Sequence, residues 1–396
     1  MQFAVLTTDI FLLLFIIFIG AFVIYASRKT YYREVGRRIM NNKTVLLSLG
    51  VITLYTGLAI LDSIHFQPAK VTANGDVLTD AEGTVVYEEI RSVLDTLMAA
   101  MYGGVRIENQ RIVTNFEVSY SKPLARSAFD KKIITDPESG RTRLESQPLV
   151  APRKHWLGTD KAGGDIFYQI VKGVRTAIIV GLVTTLIALP FAIILGILAG
   201  YFGGRIDDFI QFIYTTISSI PSILLIVSLI MIIDSKLKAI SVERIIWRDD
   251  VRVFGICCIL GLLGWAHLCR LLRAETLKIR ELDYVQAARS LGAGHLSIIL
   301  HHILPNVTHI ILISFILNFS GLVMVEVILS YINIGVPSTV ASWGRIIDGA
   351  RAELGRDPMV TWPVWSSFMA MFLLVLAFNH FGDVVRDALD PRLRKS

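Results

Sequence analysis

Thr176-Ala-Ile-Ile-Val-Gly-Leu-Val-Thr-Thr-Leu-Ile-Ala-Leu-Pro190-Phe-Ala-Ile-Ile-Leu-Gly-Ile-Leu-Ala199 carries no charged side chain. A bilayer core takes roughly 20 helical residues to cross. In hydrocarbon every backbone N–H and C=O must be paired within its own segment, so such a stretch reads as a membrane-spanning helix. Six more apolar blocks accompany it: Ile10–Ala26, Val45–Leu61, Phe209–Ile233, Val253–Leu272, Val307–Tyr331 and Val364–Phe381. Composition agrees, with 53% of the 396 residues hydrophobic and 18% charged, against about 25% charged in soluble domains. The expected fold class is an all-α polytopic membrane protein with seven spans.

The basic residues set the orientation. Arg28, Lys29, Arg33, Arg37, Arg38 and Lys43 follow the first block, and Met1–Asp9 contains no basic residue. That order is the reverse of a signal peptide. The positive-inside rule then puts the N-terminus outside and the 27–43 loop in the cytoplasm. Seven spans end inside, where Arg386, Arg392, Arg394 and Lys395 collect. The 270–305 loop, with Arg270, Arg273, Lys278, Arg280 and Arg289, also falls inside. The 234–252 loop is the exception, its five basic residues partly offset by Asp234, Glu243, Asp249 and Asp250. A net charge of +6 confined to such loops argues for lipid contact and against nucleic acid. Cys257, Cys258 and Cys269 lie in or at the end of one apolar block, where cysteine acts as a small hydrophobe.

The chain divides into two N-terminal spans (1–62), a polar insert (63–170), a five-span region (174–386) and a tail (387–396). The insert is expected to be a small extracytoplasmic α+β subdomain. Tyr87–Met101 has helical spacing at Ile90, Val93, Leu94 and Leu97, and Arg111–Val118 alternates like a strand. Asn74-Gly75 and Glu138-Ser-Gly140 mark turns. Pro190 and Pro221 sit within spans, where a proline kink is tolerated if neighbours satisfy the freed carbonyl.

Mechanism is concentrated in Glu281-Leu-Asp-Tyr-Val-Gln-Ala-Ala-Arg-Ser-Leu-Gly-Ala-Gly-His-Leu-Ser-Ile-Ile-Leu-His-His-Ile-Leu-Pro305-Asn306, within the cytoplasmic loop 273–305. Tyr284, Ala287, Ala288 and Leu291 share one helical face. Gly292-Ala-Gly294 interrupts it. A second apolar face follows through Leu296, Ile299, Leu300 and Ile303, and Pro305 is expected to stop that helix. Two short amphipathic helices with a tight bend can dock into a partner's groove or lie in the lipid interface, and the pattern alone does not separate these.

These residues resemble the EAA motif of ABC importer permeases, through Gln286-Ala287-Ala288, Gly292 and Leu304-Pro305, with glutamine standing for the glutamate. His155-Trp-Leu-Gly-Thr-Asp160, Gly163-Gly-Asp-Ile166, Gly200-Tyr-Phe-Gly-Gly204, Tyr284-Val-Gln-Ala-Ala-Arg289, His302-Ile-Leu-Pro-Asn306 and Asp383–Arg392 extend the likeness. Together, in this order, they resemble the C-type permease of dipeptide and oligopeptide ABC importers. The resemblance implies a type I importer transmembrane domain with an extra N-terminal span, in the bacterial inner membrane. It also implies as partners a homologous B-type permease, two ATPase subunits that bind the ATP, and an extracytoplasmic substrate-binding protein. Tyr284, Gln286, Ala287, Ala288, Arg289, Gly292, Leu296 and Pro305 would form the ATPase-coupling loop. Two departures stand out: the long insert, and Gly164 where the family more often has arginine, a glycine also found in an antimicrobial-peptide branch.

No Gly-x-x-x-x-Gly-Lys-Ser/Thr phosphate loop occurs, so the chain is not expected to hydrolyse ATP itself. No resident cofactor, metal or catalytic residue is expected. Glu326 lies inside an apolar block, where an ionisable group is a functional candidate by default. It reads either as a substrate contact on the translocation path or as a hydrogen-bonded helix contact, with the latter favoured. His267 and Asn379 rank below it. His301-His302 diverge by about 100° on a helix and lack a third ligand. Asn318-Phe-Ser-Gly321 has no base for a serine nucleophile. The rival functions are a permease for nickel or another small solute, a secondary transporter, and an enzyme or receptor working through the insert. A secondary transporter should show buried charges in inverted repeats, and no repeat is visible.

Overall fold

The computed structural model describes residues 2–28, 33, 36–37, 39–40, 42–70, 78, 85–87, 90–102, 106–108, 111–113, 117, 119–135, 142–149, 152–239 and 245–389. The turns expected at Asn74-Gly75 and Glu138–Gly140, and the 390–396 end of the tail with Arg392, Arg394 and Lys395, lie outside these residues. Among the described residues, five helices are long and apolar enough to cross a membrane, with a sixth if one bent pair counts as a single span. The chain forms two compact units, each discontinuous in sequence.

The first unit comprises Met1–Ile10, Thr53–Ile178 and Met324–Leu374. It holds the start of helix α1 (Thr7–Ser27) and the end of α2 (Lys43–Ser63). A three-stranded antiparallel sheet joins β1 (Gln2–Ala4), β2 (His65–Gln67) and β3 (Arg91–Ser92), with Phe3 opposite Phe66 and Phe66 opposite Arg91. Helix α3 spans Val93–Met101. It is shorter than the expected Tyr87–Met101, because Ser92 and Asp95 close a capping box that starts the helix at Val93. Ile90 precedes the strand, and Tyr87 bridges Ala69 instead. Strands β4 (Arg106–Glu108) and β5 (Arg111–Val113) pair, so the first three residues of the alternating stretch Arg111–Val118 form a strand, and its residues 114–116 and 118 lie outside the described residues. The longer hairpin is β6 (Ser127–Thr135) with β7 (Thr142–Pro148). Phe129, Tyr120 and Val360 form a small core with Trp362, whose indole N–H donates to the Thr159 carbonyl at 3.1 Å.

The second unit comprises Phe11–Ile52, Ile179–Val323 and Val375–Ser396. Helix α4 (Ile166–Phe202) runs into it, and Pro190 leaves that helix unbroken. The expected span Phe209–Ile233 is not one rod. It is split into α5 (Gly204–Ser219) and α6 (Ser222–Ala239), which meet at 85°. Ile220 takes extended backbone angles of φ −89° and ψ 133° before Pro221, as the proline ring requires of its predecessor. Helix α7 (Ile245–Ile279) overruns the expected Val253–Leu272 at both ends. Arg252 near its start is clamped by both oxygens of Asp234, at 2.6 and 3.0 Å. That pairing neutralises part of the exceptional 234–252 charge. Cys257 and Cys269 are buried free thiols.

Helices α4 and α7 approach closely because Gly196 and Gly200 share one face of α4. A Cβ on Gly200 would lie 2.6 Å from Thr276 Cβ and 2.7 Å from the Arg273 carbonyl; on Gly196 it would lie 2.8 Å from the Cys269 carbonyl. Small residues four apart permit such backbone contact in membranes. Around this contact packs the unit's core, with Ile197, Trp265, Leu268, Leu272, Ile279 and Val285 among its buried residues.

Candidate functional site

The expected coupling segment lies in the second unit and begins where α7 ends. Helix α8 covers Asp283–Ser290, and Leu291 is its C-cap. Gly292 adopts φ +84°. Its N–H donates to Arg289 O at 3.1 Å, and Ala293 N–H donates to Ala288 O at 3.0 Å. This pair of bonds is a Schellman motif, which satisfies carbonyls the helix end would leave free. No atom lies within 4 Å of a Cβ built on Gly292. The glycine is therefore required by the left-handed backbone and not by crowding.

Beyond the bend, α9 (His295–Ile298) passes through a π turn, Ile299–Ile303, into α10 (Leu304–Tyr331). Pro305 does not stop the helix as expected; the rod continues from His295 to Tyr331. A proline ring collides with the carbonyl four residues earlier. A π turn, often found where a helix must absorb such an irregularity, precedes it here.

Only one side of the finger packs into the unit. Val285, Ile298 and Ile303 are buried, and Ala288, Ala293 and Ile299 are half-buried. The other side leaves Tyr284, Ala287, Gln286 and Arg289 exposed, together with Leu291 at 88%, Leu296 at 68% and Leu300 at 48% exposure. The apolar faces read from the sequence are thus mostly turned outward. Leucines this exposed are costly in water, at roughly 25 cal/mol per Å² of apolar surface.

The finger is tied down at its root. Arg280 donates to the Gly200 carbonyl at 3.0 Å and to Glu281 at 2.9 Å. The Tyr201 hydroxyl meets His295 Nδ1 at 2.9 Å, and Asn306 Nδ2 donates to the Tyr284 hydroxyl at 3.1 Å. Gln286 reaches back to the Glu281 carbonyl and carboxylate, both at 3.3 Å. Arg273 forms a forked pair with Asp207. Between α8 and the end of α4 lies a cavity of about 440 Å³, lined by Tyr201, Phe202, Arg280, Gln286 and His295 among others.

In the first unit, Glu326 is 2% exposed. Its Oε1 accepts from the hydroxyls of Ser330 and Ser342, both at 2.7 Å. The carboxylate thereby ties α10 to the N-cap of α11 (Trp343–Arg351). His267 and Asn379 are exposed. His301 Nδ1 lies 3.0 Å from its own helix at Ser297 O. Among the described residues, no group of three or more His, Cys, Asp or Glu gathers as a metal site.

Sequence reasoning missed two buried ion clusters at the start of α4. Lys172 Nζ lies 2.7 Å from Asp95 and 3.3 Å from Asp62. The Tyr168 hydroxyl and the Ser92 hydroxyl donate to those same carboxylates, each at 2.7 Å. Burial alone would raise the Asp95 carboxyl; Lys172 and the Ser92 and Tyr168 hydrogen bonds outweigh it and hold it below the ordinary value. One turn on, Arg175 Nη2 donates to Asp9 at 2.6 Å and Thr8 at 3.1 Å, while His65 Nδ1 lies 2.9 Å from Asp9. The only sequence signal was a pair of basic residues leading directly into an apolar block.

Residues 192–395 match the family described as the binding-protein-dependent transport system inner membrane component. The chain is 33% identical to the glutathione transport system permease protein GsiD of Pectobacterium atrosepticum, covering 64% of this chain and 76% of that protein. It is 32% identical to the oligopeptide transport system permease protein OppC of Bacillus subtilis, covering 64% and 77%. It is 33% identical to the dipeptide transport system permease protein DppC of Alkalihalophilus pseudofirmus, covering 66% and 80%. A chain of the inward-facing methionine ABC transporter MetNI aligns with 57% of this chain and 98% of its own, at TM-score 0.44 and 17% identity.

Proposed function

The chain belongs to the family of binding-protein-dependent transport system inner membrane components, and from that membership we propose that it forms half of the translocation path of an ATP-driven importer for di- and oligopeptides. Relatives named as dipeptide, oligopeptide and glutathione permeases support peptide as the cargo class. The partner set is a B-type permease, two ATPases that bind the ATP, and an extracytoplasmic binding protein. The N-terminus is outside and the C-terminus cytoplasmic. The chain transports and does not itself catalyse.

One observation carries the coupling role: the bent finger exposes Leu291, Leu296, Tyr284 and Ala287 on a face that its own unit leaves bare. An apolar helix face of this kind docks into a groove of another protein. Tyr284, Ala287, Leu291 and Leu296 supply the contact, and half-buried Ala288 backs them on the side turned to its own unit. Gly292 sets the bend, Gln286 and Arg289 flank it, and Pro305 marks where the finger joins its span. Glu326 is assigned to holding helices together and not to touching cargo. The test is copurification. The intact chain should recover an ATPase subunit, and Leu291→Asp with Leu296→Asp should lose it while membrane insertion persists. Unchanged recovery by the double variant would refute the role.

A further inference from the structure

The cavity of about 440 Å³ beside the finger takes no part in the leucine contact, and it lies wholly within the second unit. Buried Val285 and Ile298 line it together with the rings of Tyr201, Phe202 and His295. Its charged lining is Arg280, Glu281 and Arg289. Glu281, the one acid among its described lining residues, is already engaged: it accepts from Arg280 Nε at 2.9 Å and from Gln286 Nε2 at 3.3 Å. Arg280 also donates to the Gly200 carbonyl at 3.0 Å. Arg289 is exposed, and among the described residues its guanidinium has no hydrogen bond or ion pair. Arg280 and Glu281 cancel, so Arg289 is the charge in excess.

Alone in water that guanidinium is well solvated. Docking changes its surroundings, because Gln286, Arg289 and Ser290 interleave along α8 with exposed Ala287 and Leu291, and His295 directly precedes exposed Leu296. A partner that covers those leucines also closes over the cavity. A cation shut away from water without a counter-charge is strongly disfavoured. The chain's own acid does not supply one, since Glu281 is held by Arg280 and Gln286. The negative group therefore comes from the partner. Glutamine at position 286 agrees with this, because a glutamate there would set a second carboxylate against Glu281 and cancel the excess charge of Arg289.

Resting on the finger as the docking element, we propose that the ATPase presents an Asp or Glu side chain that enters this cavity and pairs with Arg289. A carboxylate takes two parallel N–H bonds from a guanidinium, which fixes its direction of approach as well as its charge. The Ser290 hydroxyl, also in the cavity lining, is a further donor. The division of labour is then clear. The leucines supply buried apolar area, and the Arg289 pair sets the register and selects an ATPase that carries an acid at the matching place.

The test uses the assembled transporter, with the affinity of the ATPase for the membrane-embedded permeases measured at low and high salt. Arg289→Lys keeps the charge and should stay within about threefold of wild type, whereas Arg289→Gln should bind about tenfold and Arg289→Glu about 100-fold more weakly. Gln286→Glu should weaken docking in the same direction as Arg289→Gln. Added salt should weaken wild type more than Arg289→Gln. Lys236→Gln, exposed on α6, should match wild type. The partner acid is read from Arg289→Lys with a zero-length carbodiimide, which joins an amine to a carboxylate in direct contact. Mass spectrometry should find position 289 bonded to an Asp or Glu of the ATPase. Suppose Leu291→Cys captures the ATPase, yet position 289 gives no such bond or Arg289→Glu docks as tightly as wild type. The pairing is then overturned while docking by the finger stands. Failure of both captures would refute docking by the finger, and this pairing with it.

Discussion

Replacing Gly292 isolates the bend from everything around it. Its φ is +84°, and a new Cβ would touch nothing. The penalty for alanine is therefore purely conformational, about 1–2 kcal/mol for an L-residue held left-handed. If the undocked finger relieves that strain by opening, docking to the ATPase weakens by roughly 5- to 30-fold. Asparagine visits this region more readily and should lose less, whereas β-branched valine should lose most. Gly294 provides the internal control. It sits at φ −65° and ψ 150° with open space beside it, so Gly294→Ala carries no such strain. The assay is peptide uptake into proteoliposomes beside ATP hydrolysis by the assembled transporter, read at several ATPase concentrations. The expected order of coupled uptake is wild type, then Gly294→Ala close to it, Gly292→Asn, Gly292→Ala and Gly292→Val. Equal behaviour of Gly292→Ala and Gly294→Ala would refute the argument that the left-handed turn sets the finger.

Lys172→Met strands two buried carboxylates, Asp62 and Asp95, and should destabilise the first unit by about 3–5 kcal/mol. Adding Asp62→Asn and Asp95→Asn should recover much of that in a thermal unfolding series, and no recovery would contradict the ion cluster. The Asp95 carboxyl is held below its ordinary 3.8, so the unfolded chain binds its proton first as pH falls. Its contribution is complete above about pH 4 and disappears as pH drops through the lowered native value. Hydrogen exchange of Val93–Met101 amides should stay slow at pH 5 after correction for intrinsic rates, and quicken only in stronger acid. A transition centred near pH 6.5 would point to histidine instead. Gly200→Val forces side-chain carbon against Thr276 and the Arg273 carbonyl and should cost about 1–3 kcal/mol. Gly264→Val, in open space, should be milder in the same detergent-stability assay, and equal losses would count against the close α4–α7 contact.

Local chemistry was the legible part of the sequence. The apolar blocks announced helices because hydrocarbon permits little else, and Gly292-Ala-Gly294 announced the bend because its requirement is a single backbone angle. Features that depend on partners distant in the chain were hidden. Lys172 bonds Asp95 across 77 positions, and Arg175 bonds Asp9 across 166. No spacing rule connects such residues. Hydropathy sees Phe209–Ile233 as one block, because the turn at Ile220-Pro221 changes direction without changing polarity. Pro305 misled in the opposite sense: proline's local rule says stop, but the π turn at Ile299–Ile303 lets the helix continue.

The central claim is that the exposed side of the finger meets a nucleotide-hydrolysing subunit. Leu291→Cys, placed on the most exposed leucine of that side, tests it in the assembled transporter after the native cysteines Cys257, Cys258 and Cys269 are replaced. A short thiol cross-linker should trap a covalent adduct containing one ATPase subunit, and an equivalent cysteine at buried Val285 should give none. A finger that labels only lipid or its own chain, while the ATPase is captured elsewhere, would contradict the account.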